Sequence, residues 1–360
     1  MVKEEKNNSE KVLMCGNEVI AEAAVQAGCH LYFGYPITPQ NEISAYMSWR
    51  LPEVGGTFIQ AESELASISM VHGAAAVGER AMTSSSSPGI SLMQEGISYM
   101  AGSELPAFIV NVVRGGPGLG NIGPAQSDYL QSVKGGGHGD YRIIVIAPNS
   151  VQEIYDMTVL SFDLADKYRN PVMLLIDGAL GQMMEPVVIK KPERQSSYDR
   201  SWALTGCEGR SPNVVKSLYL GDKALVRHNE KLMKRYAEIR DKEVICETYN
   251  TEDADLIYVA YGISARLCKT AVNDLREKGM KVGLVRPVTL WPFPDRIINA
   301  LADTKKIFLT VEMSNGQMVE DVRLAVNGKS KVCFYGRGGG DILTLREIAD
   351  ETERLYKEHF

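Results

Sequence analysis

Three side chains in this sequence have the types and surroundings to do chemistry together: Thr38, Glu64 and Arg114. Thr38 lies in Gly34-Tyr35-Pro36-Ile37-Thr38-Pro39. The two prolines there cannot donate backbone hydrogen bonds and their rings restrict the chain, so the hydroxyl is held in few orientations. Glu64 opens a helix-like stretch whose Ala66, Ser69, Met70, Gly73 and Ala74 are too small and apolar for a solvated face. Arg114 leaves the apolar run Ala107–Val113 and enters Gly115-Gly116-Pro117-Gly118. A partly desolvated carboxylate makes a strong hydrogen bond and can act on a proton. A guanidinium at a glycine loop can hold a small carboxylate through two parallel bonds. Each residue also has a plain structural reading. Thr38 fits a simple strand-to-helix turn, Glu62 and Glu64 favour the positive end of a helix dipole, and Arg114 could reach water at a sheet edge.

Other motifs carry less. Gly118-Leu119-Gly120-Asn121-Ile122-Gly123 is a literal G-x-G-x-x-G, but it follows its strand five residues late and no long helix opens directly after it. A lone match of this kind is weak evidence for a dinucleotide site, and the stretch reads better as a flexible wall of a substrate site. His138, in Gly135-Gly136-Gly137-His138-Gly139-Asp140, fits either a proton shuttle or a hydrogen-bonded structural role. His30 and His72 adjoin apolar segments and read as core. The run Ser84–Ser87 has no histidine nearby and no nucleophile elbow, so a serine hydrolase is a poor reading. The six cysteines are scattered without a C-x-x-C pair, which disfavours disulfides and an iron–sulfur cluster bound by this chain alone; Cys15, Cys268 and Cys333 read as core fillers.

The elements that must position these residues alternate. Asn17–Ala27 carries an apolar stripe at helical spacing, and His30–Tyr35 reads as a strand ending at the Pro-rich loop. A short strand at Thr57–Gln60, a helix at Ser63–Val77 and a strand at Arg80–Thr83 follow. Ser87 suits an N-cap and Pro88 the first helical turn. Ala107–Val113, Arg142–Ala147 and Val172–Asp177 are near-continuous apolar runs, as buried parallel strands require. The alternation predicts an α/β fold with a parallel sheet covered by helices on both faces. We expect a tail at 1–10, a first α/β domain at 11–190, a connector at 191–252 with a charged, exposed helix near His228–Glu243, and a smaller α/β domain at 253–360.

Composition narrows the class. The chain has 360 residues, 39 basic against 45 acidic, and a net charge of −6 without a basic block, so nucleic acid is not an expected partner. No apolar run approaches the roughly 18 residues of a membrane span. The polar start, Met1 to Glu10, lacks an apolar signal core and reads as a cytoplasmic tail.

Taken in order, these motifs resemble the pyrimidine-binding subunit of the thiamine-diphosphate-dependent 2-oxoacid:ferredoxin oxidoreductases. The resemblance takes in Gly34–Pro39, Glu62–Glu64, Arg80–Gly89, Leu92-Met93-Gln94-Glu95, Leu105-Pro106, Arg114–Gly120, His138-Gly139-Asp140 and Glu312–Gln317. It implies a thiamine-diphosphate-binding-type parallel-sheet domain followed by a transketolase C-terminal-like domain. It implies that Glu64 binds a ring nitrogen of the aminopyrimidine, that Thr38 lines the reacting end of the cofactor beside Pro36 and Ile37, and that Arg114 holds the oxoacid carboxylate. Gly115, Gly118, Leu119 and His138 would complete the substrate loop.

The Gly-Asp-Gly start of a diphosphate and metal site is missing, as is any cluster motif. The resemblance therefore implies partners: a diphosphate-binding subunit bringing Mg²⁺, a ferredoxin-like subunit bringing iron–sulfur clusters, coenzyme A and ferredoxin, with self-association of the assembly. No metal site is expected on this chain itself. Relatives that use 2-oxoglutarate carry a polar Ser-Gly-Pro-Ser-Thr-Gly after the arginine, where this chain has Gly115-Gly116-Pro117-Gly118-Leu119-Gly120 and then Ile122. An apolar wall penalises a second carboxylate. The resemblance thus points to a branched 2-oxoacid, 2-oxoisovalerate, with 2-oxoglutarate or pyruvate, or a non-catalytic scaffold, as alternatives.

Overall fold

A computed structural model of the chain describes residues 11–190, 198–302 and 306–360; the tail expected at 1–10 lies outside them. In chain order the first half builds β1 (Lys11–Cys15), α1 (Gly16–Gln26), β2 (Leu31–Gly34), α2 (Asn41–Glu53), β3 (Thr57–Gln60), α3 (Glu64–Ala76), β4 (Ala81–Ser85), α4 (Pro88–Gly102), β5 (Ala107–Val113), α5 (Tyr129–Lys134), β6 (Ile144–Ile146), α6 (Val151–Tyr168), β7 (Pro171–Asp177), α7 (Gly178–Gln182) and β8 (Met184–Val188). The second builds α8 (Ala224–Lys242), β9 (Cys246–Tyr249), β10 (Leu256–Val259), α9 (Gly262–Glu277), β11 (Val282–Pro287), β12 (Thr289–Trp291), α10 (Asp295–Ala302), β13 (Ile307–Glu312), α11 (Met318–Val326), β14 (Val332–Gly336) and α12 (Leu345–His359). Among the described residues no helix is long and apolar enough to cross a membrane.

The main sheet has seven strands in the order β12-β6-β7-β5-β4-β2-β3, parallel except at β12. β5 and β7 are buried along their whole length and pair from Ala107–Pro171 to Val113–Asp177. That is why they read as unbroken apolar runs. One face is covered by α1, α2 and α6, whose Val19, Ile20, Met47 and Ile154 are fully buried; the other by α3 and α4, through Ile68, Val71, Met93 and Ile97. A second sheet of five strands runs β14-β13-β10-β11-β9, with β9 antiparallel.

The boundaries differ from the sequence reading in instructive ways. The stretch 191–252 contributes β9 to the second sheet, pairing Cys246 with Pro287. Conversely, β12, drawn from the second half, pairs Thr289 with Ile146 and completes the first sheet. Strands of three or four residues on antiparallel edges are too short to show a period. The charged helix is α8, but it is not wholly exposed: His228, Leu232, Tyr236 and Ile239 form a buried stripe, and Lys231 and Arg235 pair with the buried Glu104. His30, read as core, is exposed, and His72 is half-buried. Cys15 and Cys268 are buried, while Cys333, on the edge strand β14, is only half-buried.

Two buried polar residues join the halves. Gln126 donates from Nε2 to the Tyr261 carbonyl at 2.9 Å, and its Oε1 accepts from Ser264 Oγ and the Met313 amide, both at 2.9 Å. Asp177, at the end of β7, accepts from the amides of Ala179 and Leu180 on Oδ1 and from the Ile263 amide at 3.2 Å on Oδ2. It thus sits at the starts of both α7 and α9. Burial pushes its carboxyl up to about 6, opposed by those backbone donors. An acid raised in the folded state binds protons there before it does unfolded. Its contribution to stability is therefore full below about pH 4 and is lost as the pH rises through about 6. Asp177→Asn should remove that slope. The stability of the wild type relative to the variant should fall by about 2–3 kcal/mol between pH 4 and 7, measured by urea titration of both proteins.

Candidate active site

The Thr38 loop is held from below. Pro39 is buried and its carbonyl accepts from Asn17 Nδ2 at 2.8 Å and Gln182 Nε2 at 3.1 Å. Gln40, also buried, donates to the Tyr35 carbonyl and accepts from Ser84 Oγ at 2.6 Å. These bonds leave Thr38 and Pro36 exposed and Ile37 half-buried, with Thr38 Oγ1 accepting from Asn41 Nδ2 at 3.3 Å.

Glu64 is the first residue of α3, where Ser63 caps the helix by accepting from the Ala66 amide. Glu62 is exposed but Glu64 is only 5% exposed, so the two carboxylates are in different situations. Among the described residues no cation pairs with Glu64. Its hydrogen bond is a long one from Ser85 Oγ, at 3.5 Å. Gly89, in the first turn of α4, makes room for it: a Cβ there would lie 2.5 Å from Glu64 Oε1 and 2.0 Å from Ser85 Oγ.

Arg114 follows β5 and is 7% exposed. Its backbone amide donates to Ser87 Oγ at 3.1 Å, and Ser87 Oγ donates back to the Arg114 carbonyl at 3.3 Å. Ser87 does occupy the N-cap position of α4, but its hydroxyl makes no cap bond and serves Arg114 instead. Asn111, buried on β5, accepts from the Ser87 amide. The Arg114 guanidinium donates from Nη1 to the Thr38 carbonyl at 2.9 Å and from Nη2 to the Leu119 carbonyl at 3.1 Å. Nε is buried without a partner. Among the described residues no carboxylate pairs with this arginine.

The structure thus brings Thr38 and Arg114 into direct contact and ties Glu64 to the same strand end. The tie is the serine run that the sequence reading set aside. Ser84 holds Gln40 of the Thr38 loop, Ser85 reaches Glu64, and Ser87 brackets Arg114. Ser86, fully buried, has a hydroxyl without a partner. Four hydroxyls in succession at the carboxyl end of a central parallel strand were the available signal, since ligands of open α/β sheets bind there. Glu64 and Arg114 are opposite in charge, buried, and each without an ionic partner. Removing a charge from water without pairing costs several kcal/mol, a cost that a ligand of complementary chemistry would relieve at either residue.

Two expectations are placed elsewhere. His138 is exposed. Its carbonyl accepts from Ser98 Oγ at 2.8 Å and its ring meets Tyr99 edge-on. Those residues lie in the last turns of α4, about 15 Å along the axis from Gly89. His138 lines a cavity of about 400 Å³ with Tyr141, His228 and Leu232, and the structure does not bring it to Arg114. The glycine motif 118–123 is not followed by a helix start until Tyr129. It forms a closed loop in which the Gly115 amide donates to the Gly123 carbonyl and Arg114 bridges Pro124. Gly115 is buried there, whereas Gly118 is exposed and Leu119 is 81% exposed. The loop is therefore braced at its base, while its tip stands exposed.

Comparison with known proteins agrees with this frame. Residues 22–247 match the family model described as pyruvate flavodoxin/ferredoxin oxidoreductase, thiamine diphosphate-binding, and residues 254–348 match the pyruvate:ferredoxin oxidoreductase core domain II. The ketoisovalerate oxidoreductase subunit VorB of Methanothermobacter marburgensis is 53% identical over 345 residues, covering 95% of this chain and 97% of that one. A 2-oxoglutarate:ferredoxin oxidoreductase from Magnetococcus marinus, solved with 2-oxoglutarate, coenzyme A and succinyl-CoA bound, superposes with a TM-score of 0.83 at 28% identity; the match covers 98% of this chain and 66% of that one. A split-gene transketolase shares the fold, with a TM-score of 0.57 at 13% identity over 95% of this chain and 97% of that one. The chain belongs to the pyruvate flavodoxin/ferredoxin oxidoreductase family and carries its thiamine-diphosphate-binding domain.

Proposed function

We propose that this chain is the pyrimidine-binding subunit of a complex that oxidatively decarboxylates 2-oxoisovalerate with coenzyme A, giving acyl-CoA and CO₂ and passing electrons to ferredoxin. The observation that carries the reading is the pair of unpaired buried charges, Glu64 and Arg114, tethered to one serine run. The fit to thiamine diphosphate rests on Glu64: a buried carboxylate packed against Gly89, with no cation beside it among the described residues, suits a hydrogen bond to a ring nitrogen. When bound, thiamine diphosphate would supply a nucleophilic carbon that adds to the 2-oxo group and accepts the electrons released as CO₂ leaves.

The chain's own residues then orient and exclude. Arg114 gives one donor each to the Thr38 and Leu119 carbonyls, which fixes the plane of its guanidinium, and its remaining N–H donors suit a carboxylate. Thr38, with Pro36 and Ile37, lines the reacting end. Leu119 and Ile122 present an aliphatic wall with no cation among residues 115–123. That wall suits a branched side chain and leaves a second carboxylate without a partner. Mg²⁺, the diphosphate site and the iron–sulfur clusters belong to partner chains in this reading, which also has the assembly self-associate in the cytoplasm.

Anaerobic viologen reduction by the complex isolated through this chain tests the proposal, with thiamine diphosphate, Mg²⁺ and coenzyme A present. Highest kcat/KM with 2-oxoisovalerate is expected over 2-oxoglutarate and pyruvate, with related aliphatic oxoacids within about 10–200-fold, as hydrophobic pockets allow. Preference for 2-oxoglutarate would overturn the wall argument. No reduction from a complex containing its clusters would point to a scaffold.

A further inference from the structure

The loop that follows Arg114 is poor in means to order itself. Gly115, Gly116, Gly118, Gly120 and Gly123 carry no side chains, and Leu119 and Ile122 are 81% and 65% exposed. Beyond the backbone bonds at its base and the Arg114 bond to Leu119, the side chain that ties it down is Asn121. The Asn121 amide donates to the Gly115 carbonyl at 2.9 Å. Its Oδ1 accepts from the Gly123 amide at 3.0 Å, and its Nδ2 donates to the carbonyl of Gly339 at 2.7 Å. Gly339 belongs to the glycine turn after β14, in the second half of the chain.

The fit between the two loops is close. A Cβ on Gly340 would lie 2.3 Å from Asn121 Oδ1, one on Gly115 2.5 Å from the same oxygen, and one on Gly123 2.2 Å from the Gly340 carbonyl oxygen. The glycine turn is itself held, since the Gly338 amide donates to Asn315 Oδ1. A continuous chain of bonds then runs from the second domain to the guanidinium: Gly339 to Asn121, Asn121 to the loop, and Leu119 O to Arg114 Nη2.

We propose that Asn121 is a positioning residue through which the glycine turn of the second domain fixes Arg114 and its loop for oxoacid binding. The inference rests on the reading that Arg114 receives the oxoacid carboxylate. It gives the second domain a part in substrate binding, carried by hydrogen bonds that any 2-oxoacid would depend on.

The test uses the assembled complex and four variants of this chain. Asn121→Ala should raise KM for 2-oxoisovalerate about tenfold, since misplacement of a binding group by about 1 Å can cost up to 10²-fold. The kcat at saturation should stay within about threefold, the pattern for lost uniform binding. KM for coenzyme A and the affinity for thiamine diphosphate should not move. Gly340→Ala, whose methyl group meets Asn121 from the second domain, should reproduce the rise. Gly328→Ala is the control: Gly328 has a similar positive φ of 74° against 82° at Gly340, but nothing lies within 4 Å of its added Cβ. Unchanged oxoacid KM in either Asn121→Ala or Gly340→Ala would overturn the proposal. So would a rise shared by Gly328→Ala, or a parallel loss of thiamine diphosphate binding, since either reports general damage. Arg114→Lys separates the two readings. If it raises KM while Asn121→Ala does not, only the brace is lost; if it leaves KM unchanged, the role of Arg114 itself fails.

Discussion

Glu64→Gln should lower the turnover of the assembled complex by about 10²-fold or more, the range for loss of a positioned proton-transfer group, while leaving the fold as stable as before or more so. Both halves follow from one observation. Glu64 is 5% exposed, its bond to Ser85 is long, and no cation compensates it among the described residues. A carboxylate kept there costs stability, and glutamine removes the charge at nearly the same volume. A glutamate held only for the helix dipole of α3 would show the reverse: turnover intact and a small loss of stability of about 0.3–1 kcal/mol. Viologen-coupled kcat together with the melting temperature decides. Near-normal turnover would remove Glu64 from the mechanism. The bound cofactor should still be retained in part, because its diphosphate would be held by the partner chain.

Arg114→Lys should be nearly as severe, with a different signature. Lysine is a compact point charge and cannot hold the Thr38 and Leu119 carbonyls while presenting a fork to a carboxylate. Losing one arm of a charge-assisted, bidentate hydrogen bond costs about 1.5–3 kcal/mol, so kcat/KM for the oxoacid should fall by roughly 10- to 150-fold. KM should rise steeply while the apparent affinity for coenzyme A stays unchanged. An arginine that merely reached for water at the sheet edge would tolerate lysine with less than a threefold change. Steady-state kinetics with 2-oxoisovalerate distinguishes these outcomes.

How much of this was legible beforehand depended on whether the information was local. The strands β5 and β7 announced themselves because burial on both faces demands unbroken apolar runs. The buried role of Glu64 showed in the small residues that follow it. What was hidden required contacts across the chain. Gln126 and Asp177 look like ordinary polar residues of a loop and a strand end, yet they join halves more than 80 positions apart. Ser84 to Ser87 were weighed as nucleophiles, when their hydroxyls serve as a scaffold for three other groups. Ser87 was expected to cap α4, and geometry spent it on Arg114. His138 lay in a suggestive glycine loop, but the path of α4 carries that loop away from the cleft. β12 escaped notice because three residues cannot display a period.

That small edge strand bears on how the protein is made. β6 lies next to the margin of the main sheet, and Thr289–Trp291 covers its outer edge. During synthesis the ribosome delivers every other strand of that sheet by Asp177, yet the outer backbone groups of β6 stay unpaired until more than a hundred further residues have emerged. A nascent chain in that interval presents an open strand to its neighbours, the geometry that seeds edge-to-edge association. A gene cut between the two halves would make that interval permanent.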